Sequence, residues 1–324
     1  MATPDIGKAV QFLAANARVI DRRRYERLFQ GGAAQPVRDA LAAYRNADGG
    51  FGHALEPDGR APTSEPIAAE VALHIMDEAG IWDPEIVNGI LGWLAATAPA
   101  EGGVLFVHDG MAQWPHAPWL VPDSGPRGVD GAPPANDIQT GLMAGTLHKR
   151  GVRHPWLDGA TQVMWTRIDA LTEPTPYGMA GMLAFLQYVP DRDRARAAMD
   201  RLGPMITGSG IVTLDPDDPG EVHSPLNFAP RPESIARPLF DEGTIKAHLD
   251  HLAQAQLDDG GWTFNWLAWS PAAECEWRGS LTVDALRLLR DNGRLGRGRG
   301  GTGHGCGLGS AVERARVSRR RGGP

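Results

Sequence analysis

Cysteine is scarce in this sequence, with two residues, Cys275 and Cys306, in 324 positions. Two thiols so placed give neither a disulfide framework nor a paired metal-ligand spacing, and they fit a reducing compartment. No run approaches the roughly 18 apolar residues of a membrane-spanning helix. The first thirty residues are broken by charges such as Lys8, Arg18, Asp21 and Arg22, so they lack the apolar core of a secretory signal. The expectation is a cytoplasmic protein with no stable membrane span. Basic charge is also missing from the body of the chain. The formal total is −7, but residues 296–324 hold seven Arg against one Glu, so residues 1–295 carry −13. A body of that sign is not built to attract nucleic acid or an anionic membrane.

Strand signals are nearly absent, and helical ones recur. Apolar periodicity and helix-start chemistry predict helices over about 5–17, 35–45, 65–79, 84–96, 136–150, 154–171, 175–188, 191–203, 239–256 and 276–292, with a short one around Tyr25–Phe29. That makes about eleven, in an all-α protein. Two stretches break the pattern. Residues 98–135 are rich in Gly and Pro and hold Trp114, His116 and Trp119, while 204–238 carry turn chemistry such as Asp215-Pro216-Asp217-Asp218-Pro219-Gly220. After Leu295, Gly and Arg replace apolar periodicity, so 296–324 is expected to be a disordered tail.

The organising feature is a turn that occurs twice. Arg45-Asn46-Ala47-Asp48-Gly49-Gly50-Phe51-Gly52 returns as Gln256-Leu257-Asp258-Asp259-Gly260-Gly261-Trp262. Each copy has an Asp able to accept from backbone amides, two Gly able to take positive φ, and one aromatic able to staple the turn. Each leads to a helix with small residues, Pro66-Ile67-Ala68-Ala69 in one case and Thr282-Val283-Asp284-Ala285 in the other, which makes a repeat unit. The pattern resembles the repeats of protein prenyltransferase β-subunits, and Gln-x-x-Asp-Gly-Gly-Trp resembles that of squalene and hopene cyclases. The resemblance implies an α/α toroid of six helical hairpins over residues 1–295, with 98–135 packed over one mouth and a central cavity for an isoprenoid or other apolar substrate. The activity it implies is acid-initiated cyclisation or prenyl transfer. Two other classes stay open: a carbohydrate-active α/α barrel (epimerase, lyase or hydrolase) and a non-catalytic binding toroid.

Several residues are candidates for the chemistry. Asp215-Pro216-Asp217-Asp218 matches the Asp-x-Asp-Asp acid of terpenoid cyclases, which makes Asp217 and Asp218 candidate proton donors, although its prolines also suit a plain turn. His53, Glu56 and Asp58 follow the first repeat turn closely enough to act as acid, base or ligand, or else to cap the link. Trp262, Trp266, Trp269 and Trp277, with Trp114 and Trp119, could line a site for a carbocation, an isoprenoid chain or a sugar. Arg231, Arg237, Lys246, Arg60 and Arg45 are the cations to examine for a diphosphate. Glu274-Cys275-Glu276 lacks the spacing of the prenyltransferase zinc ligands, and no Asp-Asp-x-x-Asp run exists for magnesium, so neither metal nor cofactor is expected.

Overall fold

The computed structural model of the chain describes residues 3–121, 134–219 and 223–295, which form twelve α-helices and no strand. They are α1 Ile6–Asn16, α2 Val19–Phe29, α3 Gln35–Ala42, α4 Pro66–Glu78, α5 Pro84–Thr97, α6 Asp137–Lys149, α7 Pro155–Ala170, α8 Pro176–Tyr188, α9 Arg192–Gly208, α10 Pro225–Phe228, α11 Glu242–Gln254 and α12 Pro271–Asp291. None of the described helices is long and apolar enough to cross a membrane. The tail 296–324, with Cys306, and residues 122–133 of the long loop lie outside the described residues.

The helices start where short polar side chains satisfy the first free amides. Asp83, Asn136, Thr175, Asp191, Asp241 and Ser270 each accept from a backbone N–H in the turn that follows. Pro84, Pro176 and Pro271 then occupy positions where no N–H is needed. Ser270-Pro271 explains why α12 begins five residues before the apolar pattern does. α2 is also longer than its apolar residues suggest. Its inward face mixes Ile20 and Tyr25 with buried Asp21 and Arg24, which masks the helical period.

Alternate helices pack on one another: α4 on α6, α6 on α8, α8 on α10 and α12 on α2. The α6–α8 contact is the closest. A Cβ on Gly141 would lie 2.2 Å from the Gly181 carbonyl oxygen, so the two backbones touch. Polar groups tie α2, α4 and α12 together. Arg24 is bonded to Asp21 at 3.0 Å, to Ser280 at 3.0 Å, to Asp284 at 2.8 Å and, closely, to Glu78.

The two repeat turns have one geometry. Gly49 and Gly260 both take φ of +93°. Gly50 and Gly261 donate to the preceding Asp at 2.9 and 3.0 Å, and their carbonyls accept from Asn46 and Leu257, each at 2.9 Å. Phe51 and Trp262 are both buried. A partial third copy, Glu101-Gly102-Gly103-Val104, is present, with Gly103 at φ of +72° where Gly50 and Gly261 are not positive. Gly102 takes φ of +96°, Val104 is buried, and the Val104 amide donates to Thr140 Oγ1 at 3.1 Å as the Trp262 amide does to Thr282 Oγ1. Each turn also presses its first Gly onto another helix. A Cβ on Gly49 would strike Gly89 of α5, one on Gly102 would crowd Gly159 of α7, and one on Gly260 would strike Lys8 of α1.

Candidate functional site

The link after the first repeat turn is held in an unusual backbone shape. His53 and Ala54 take φ of +56° and +62°, which costs L-residues energy unless neighbours hold them there. The Arg18 guanidinium does so by donating to the carbonyls of Ala54 at 3.1 Å and Leu55 at 2.8 Å. His53 itself is exposed, with its ring bonded to Asn46 at 2.9 Å. The strained turn drives Glu56, Pro57 and Asp58 inward, and both carboxylates are 5% exposed.

Around Asp58 the structure gathers residues that are far apart in sequence. Its carboxylate accepts from Trp277 Nε1 at 2.7 Å and from Trp119 Nε1 at 3.0 Å, and its backbone N–H donates to Glu56 Oε2 at 2.9 Å. Trp269 Nε1 also lies near enough to favour the ionised carboxyl, though it falls short of hydrogen-bond geometry. Trp266 meets Trp277 edge-on at 5.6 Å, and Arg60 lies over Trp269 while pairing with Glu276 at 2.7 Å. Six of the predicted residues therefore meet: Glu56, Asp58, Trp119, Trp266, Trp269 and Trp277. Trp262 is apart from them as the staple of its turn, and Trp114 is exposed. Asp217, bonded to His251 at 3.2 Å, and Asp218, bonded to Thr213, lie on an exposed turn and line neither cavity described below.

Burial pushes Glu56 up to about 8, and the Asp58 charge adds to the effect. Burial raises Asp58 as well, but the two indole N–H groups and Arg60 pull it back. The result is a proton-bearing acid beside a gripped carboxylate. The cleft next to Glu56, walled by Leu55, Ala61, Ile67 and Met111, has a volume of about 10 Å³, room for about one water. The raised value sets a pH dependence. A carboxyl whose folded pKa lies above its unfolded one contributes stability that is complete below 4.5 and is lost as pH rises through 8. Glu56→Gln is therefore expected to gain on the wild type by a few kcal/mol between pH 5 and pH 9. Urea melts at the two pH values would show it, and a constant difference would mean that Glu56 is ionised in the fold.

A second site is a cavity of about 240 Å³ lined by α4, α6, α8, α10 and α12, of whose residues Arg231 alone is among the sequence candidates. Leu142, Leu183, Phe228, Ile235 and Leu288 make an apolar wall, while Glu70, His74, Arg231 and Arg287 bring charge or polarity. Burial alone lifts Glu70 to about 7, and its side chain has no ionic or hydrogen-bond partner among the described residues. His74, one turn further along α4, is pushed down by burial in spite of Glu78 at 3.6 Å. Arg287 makes no hydrogen bond among the described residues and sits 3.5 Å from Glu78 and 3.8 Å from Asp284. His74, Glu78 and Asp284 could converge on one point, but Arg24 and Arg287 already neutralise the carboxylates, which makes this an ion-pair cluster. Of the cations examined for an anion, Arg231 faces the cavity and bonds Tyr188 at 2.5 Å. Arg45, Arg237 and Lys246 pair with Glu85, Glu242 and Asp250.

No protein-family model and no curated protein matches this chain. A crystal structure of a protein from Actinoplanes is similar in fold, with a TM-score of 0.56 at 16% identity over 89% of this chain and 98% of that one. At that identity the likeness concerns fold alone.

Proposed function

We propose that the twelve helices close into an α/α toroid whose central cavity binds a small amphipathic molecule with an anionic head, of the isoprenoid diphosphate class. Closure is supported by the two equivalent turns, by the partial third at Gly102, and by the last of them, at Gly260, resting on α1. The observation that carries the ligand class is the pairing, in one cavity, of an apolar wall with the guanidinium groups of Arg231 and Arg287. Apolar side chains suit a prenyl chain, and a planar guanidinium suits phosphate oxygens. Glu70, rather than Asp217 or Asp218, is the carboxyl placed to hand a proton to such a ligand. At about 240 Å³ the cavity is smaller than the roughly 300–1,000 Å³ of most ligand pockets, which favours a short chain.

Thermal unfolding with geranyl, farnesyl and geranylgeranyl diphosphates, set against neutral oligosaccharides, tests this. At one common concentration geranyl diphosphate is expected to stabilise most, reaching about 2.7 kcal/mol where that concentration is a hundred times its Kd. A carbohydrate-active barrel is the second reading, favoured by Glu70 and His74 facing one cavity and by the indoles around Asp58. Stabilisation by oligosaccharides alone would replace the first reading with it, and a response to neither would leave a toroid without a small-molecule ligand.

A further inference from the structure

The buried apolar side chains of residues 105–121, in the loop after α5, stand apart from the main core. Val107, Met111, Ala117 and Leu120 form a small cluster with Ala61 of the link, and Ile67, Phe106 and Trp269 pack against it. Four hydrogen bonds fasten this loop to the link beneath. The His108 amide donates to Glu65 Oε2 at 2.8 Å, and the Ala117 amide to the Asp58 carbonyl at 2.8 Å. Trp119 Nε1 donates to the Asp58 carboxylate at 3.0 Å, and the Arg60 amide to the Pro115 carbonyl at 2.9 Å. On the same fastened residues, Glu65 Oε1 and Arg60 Nη2 are closed off from solvent and have no hydrogen-bond partner among the described residues, and Trp269 Nε1 shares that state. Buried polar atoms left so are costly unless something arrives to bond them. We propose that the loop is a lid over a second ligand site, and that the site takes a neutral hydroxylated ring, the pyranose unit of a saccharide.

The unpartnered atoms decide the ligand chemistry. Arg60 Nη2 and Trp269 Nε1 are donors, while Glu65 Oε1 is a carboxyl oxygen, so the missing partner both accepts and donates, as a hydroxyl does. A charged ligand would find its opposites taken. Arg60 is paired with Glu276 at 2.7 Å, and the Asp58 carboxylate is gripped by the Trp277 and Trp119 indoles. A neutral polyol leaves those pairs intact. The indoles supply the remaining feature, since flat apolar faces with one polar edge suit the C–H face of a sugar ring beside its hydroxyls. The cleft beside Glu56 also reaches Glu65, is walled in part by Met111 of the loop, and at about 10 Å³ has room for about one water. A ring therefore enters only when the loop lifts. This site shares no residue with the cavity lined by Glu70 and Arg231, so the inference stands apart from the reading of that cavity.

Maltotriose, cellotriose and chitotriose are the probes, with geranyl diphosphate as the control for the other cavity. In hydrogen exchange of the free protein, the amides of His108, Ala117 and Leu120 are expected to exchange through local opening, at least roughly tenfold faster than the slowest amides of α6 and α8. One of the trisaccharides is expected to shift the Trp269 indole N–H signal saturably in the NMR spectrum of the whole protein, and geranyl diphosphate to leave that signal in place. Trp269→Phe assigns the signal, keeps an aromatic ring and deletes a donor that bonds nothing in the free protein. Its stability should stay within about 1 kcal/mol of the wild type, while its affinity for the same trisaccharide falls roughly threefold to tenfold. Loop amides that exchange only together with α6 and α8 would overturn the lid and the site with it. A response confined to the exposed Trp114 would mean stacking on the surface alone, and would overturn the site, as would equal affinity in Trp269→Phe or no response to any of the three sugars. The exchange and wild-type titration need no variant, so a Trp269→Phe chain that fails to fold leaves both tests in place.

Discussion

Arg24→Met is expected to destabilise the protein by about 3–5 kcal/mol, the cost of leaving buried carboxylates without their cation. The Arg24 side chain is 3% exposed and lies between Asp21 on its own helix, Glu78 at the end of α4 and Asp284 on α12. Against burial, Arg24 leads the neighbours that hold the Glu78 carboxyl below its ordinary value. For a carboxyl shifted down, the stabilisation is present above the unfolded pKa of 4.5 and is lost as pH falls through the folded one, so the gap between variant and wild type closes in acid. At pH 7 the melting temperature should drop by roughly 10 °C for a chain of this size. The double variant Arg24→Met with Glu78→Leu should recover part of the loss, because it removes a stranded charge together with its partner. A loss below about 1 kcal/mol would show that Arg287 alone neutralises the cluster.

The organisation of the chain was legible where a local rule carried the signal. An Asp followed by two Gly and an aromatic forced the same turn at Gly49 and Gly260, because an Asp oxygen and a positive φ are needed whatever the surroundings. The partial third copy is not legible in the sequence because its letters depart from the rule. Glu101 bonds the Ala135 amide at 2.6 Å instead of its own turn, and Val104 fills the aromatic position. The cluster around Asp58 was partly visible, as carboxylates after a repeat turn and a run of tryptophans before α12. That the two would meet was not, since the Asp58–Trp277 bond spans 219 residues. The cavity lined by Glu70 and Arg231 gave the weakest signal, since each of its helices contributes only a few side chains. One trace was present: Glu70, His74 and Asp77 recur at helical spacing on the side of α4 away from the buried Ala68, Ala69, Ala72 and Leu73. The Asp-x-Asp-Asp motif shows the opposite case, where the letters match but Pro216 and Pro219 shape an exposed turn, with the Asp217 side chain 84% exposed.

Phe51→Ala and Trp262→Ala should each cost about 3–5 kcal/mol, the range for removing a large aromatic from a packed interior. Phe51 is fully buried and Trp262 is 2% exposed; the Trp262 indole also donates to the Leu252 carbonyl at 2.8 Å, so its loss strands a backbone acceptor as well. Val104→Ala, at the same place in the third turn, deletes less apolar surface and should cost about 2 kcal/mol. The comparison between sites carries more than any one value. In the proposed closed ring each turn would join its helix to the next, with the turn at Gly260 resting on α1, so loosening any one of them would release the same cooperative unit. All three variants should therefore melt in a single transition, with calorimetric and van't Hoff enthalpies equal and the midpoint lowered in proportion to the side chain removed. If Trp262→Ala instead splits the transition, so that α11 and α12 melt before the remainder, the chain behaves as an open stack of helical pairs and the equivalence of its turns is local only.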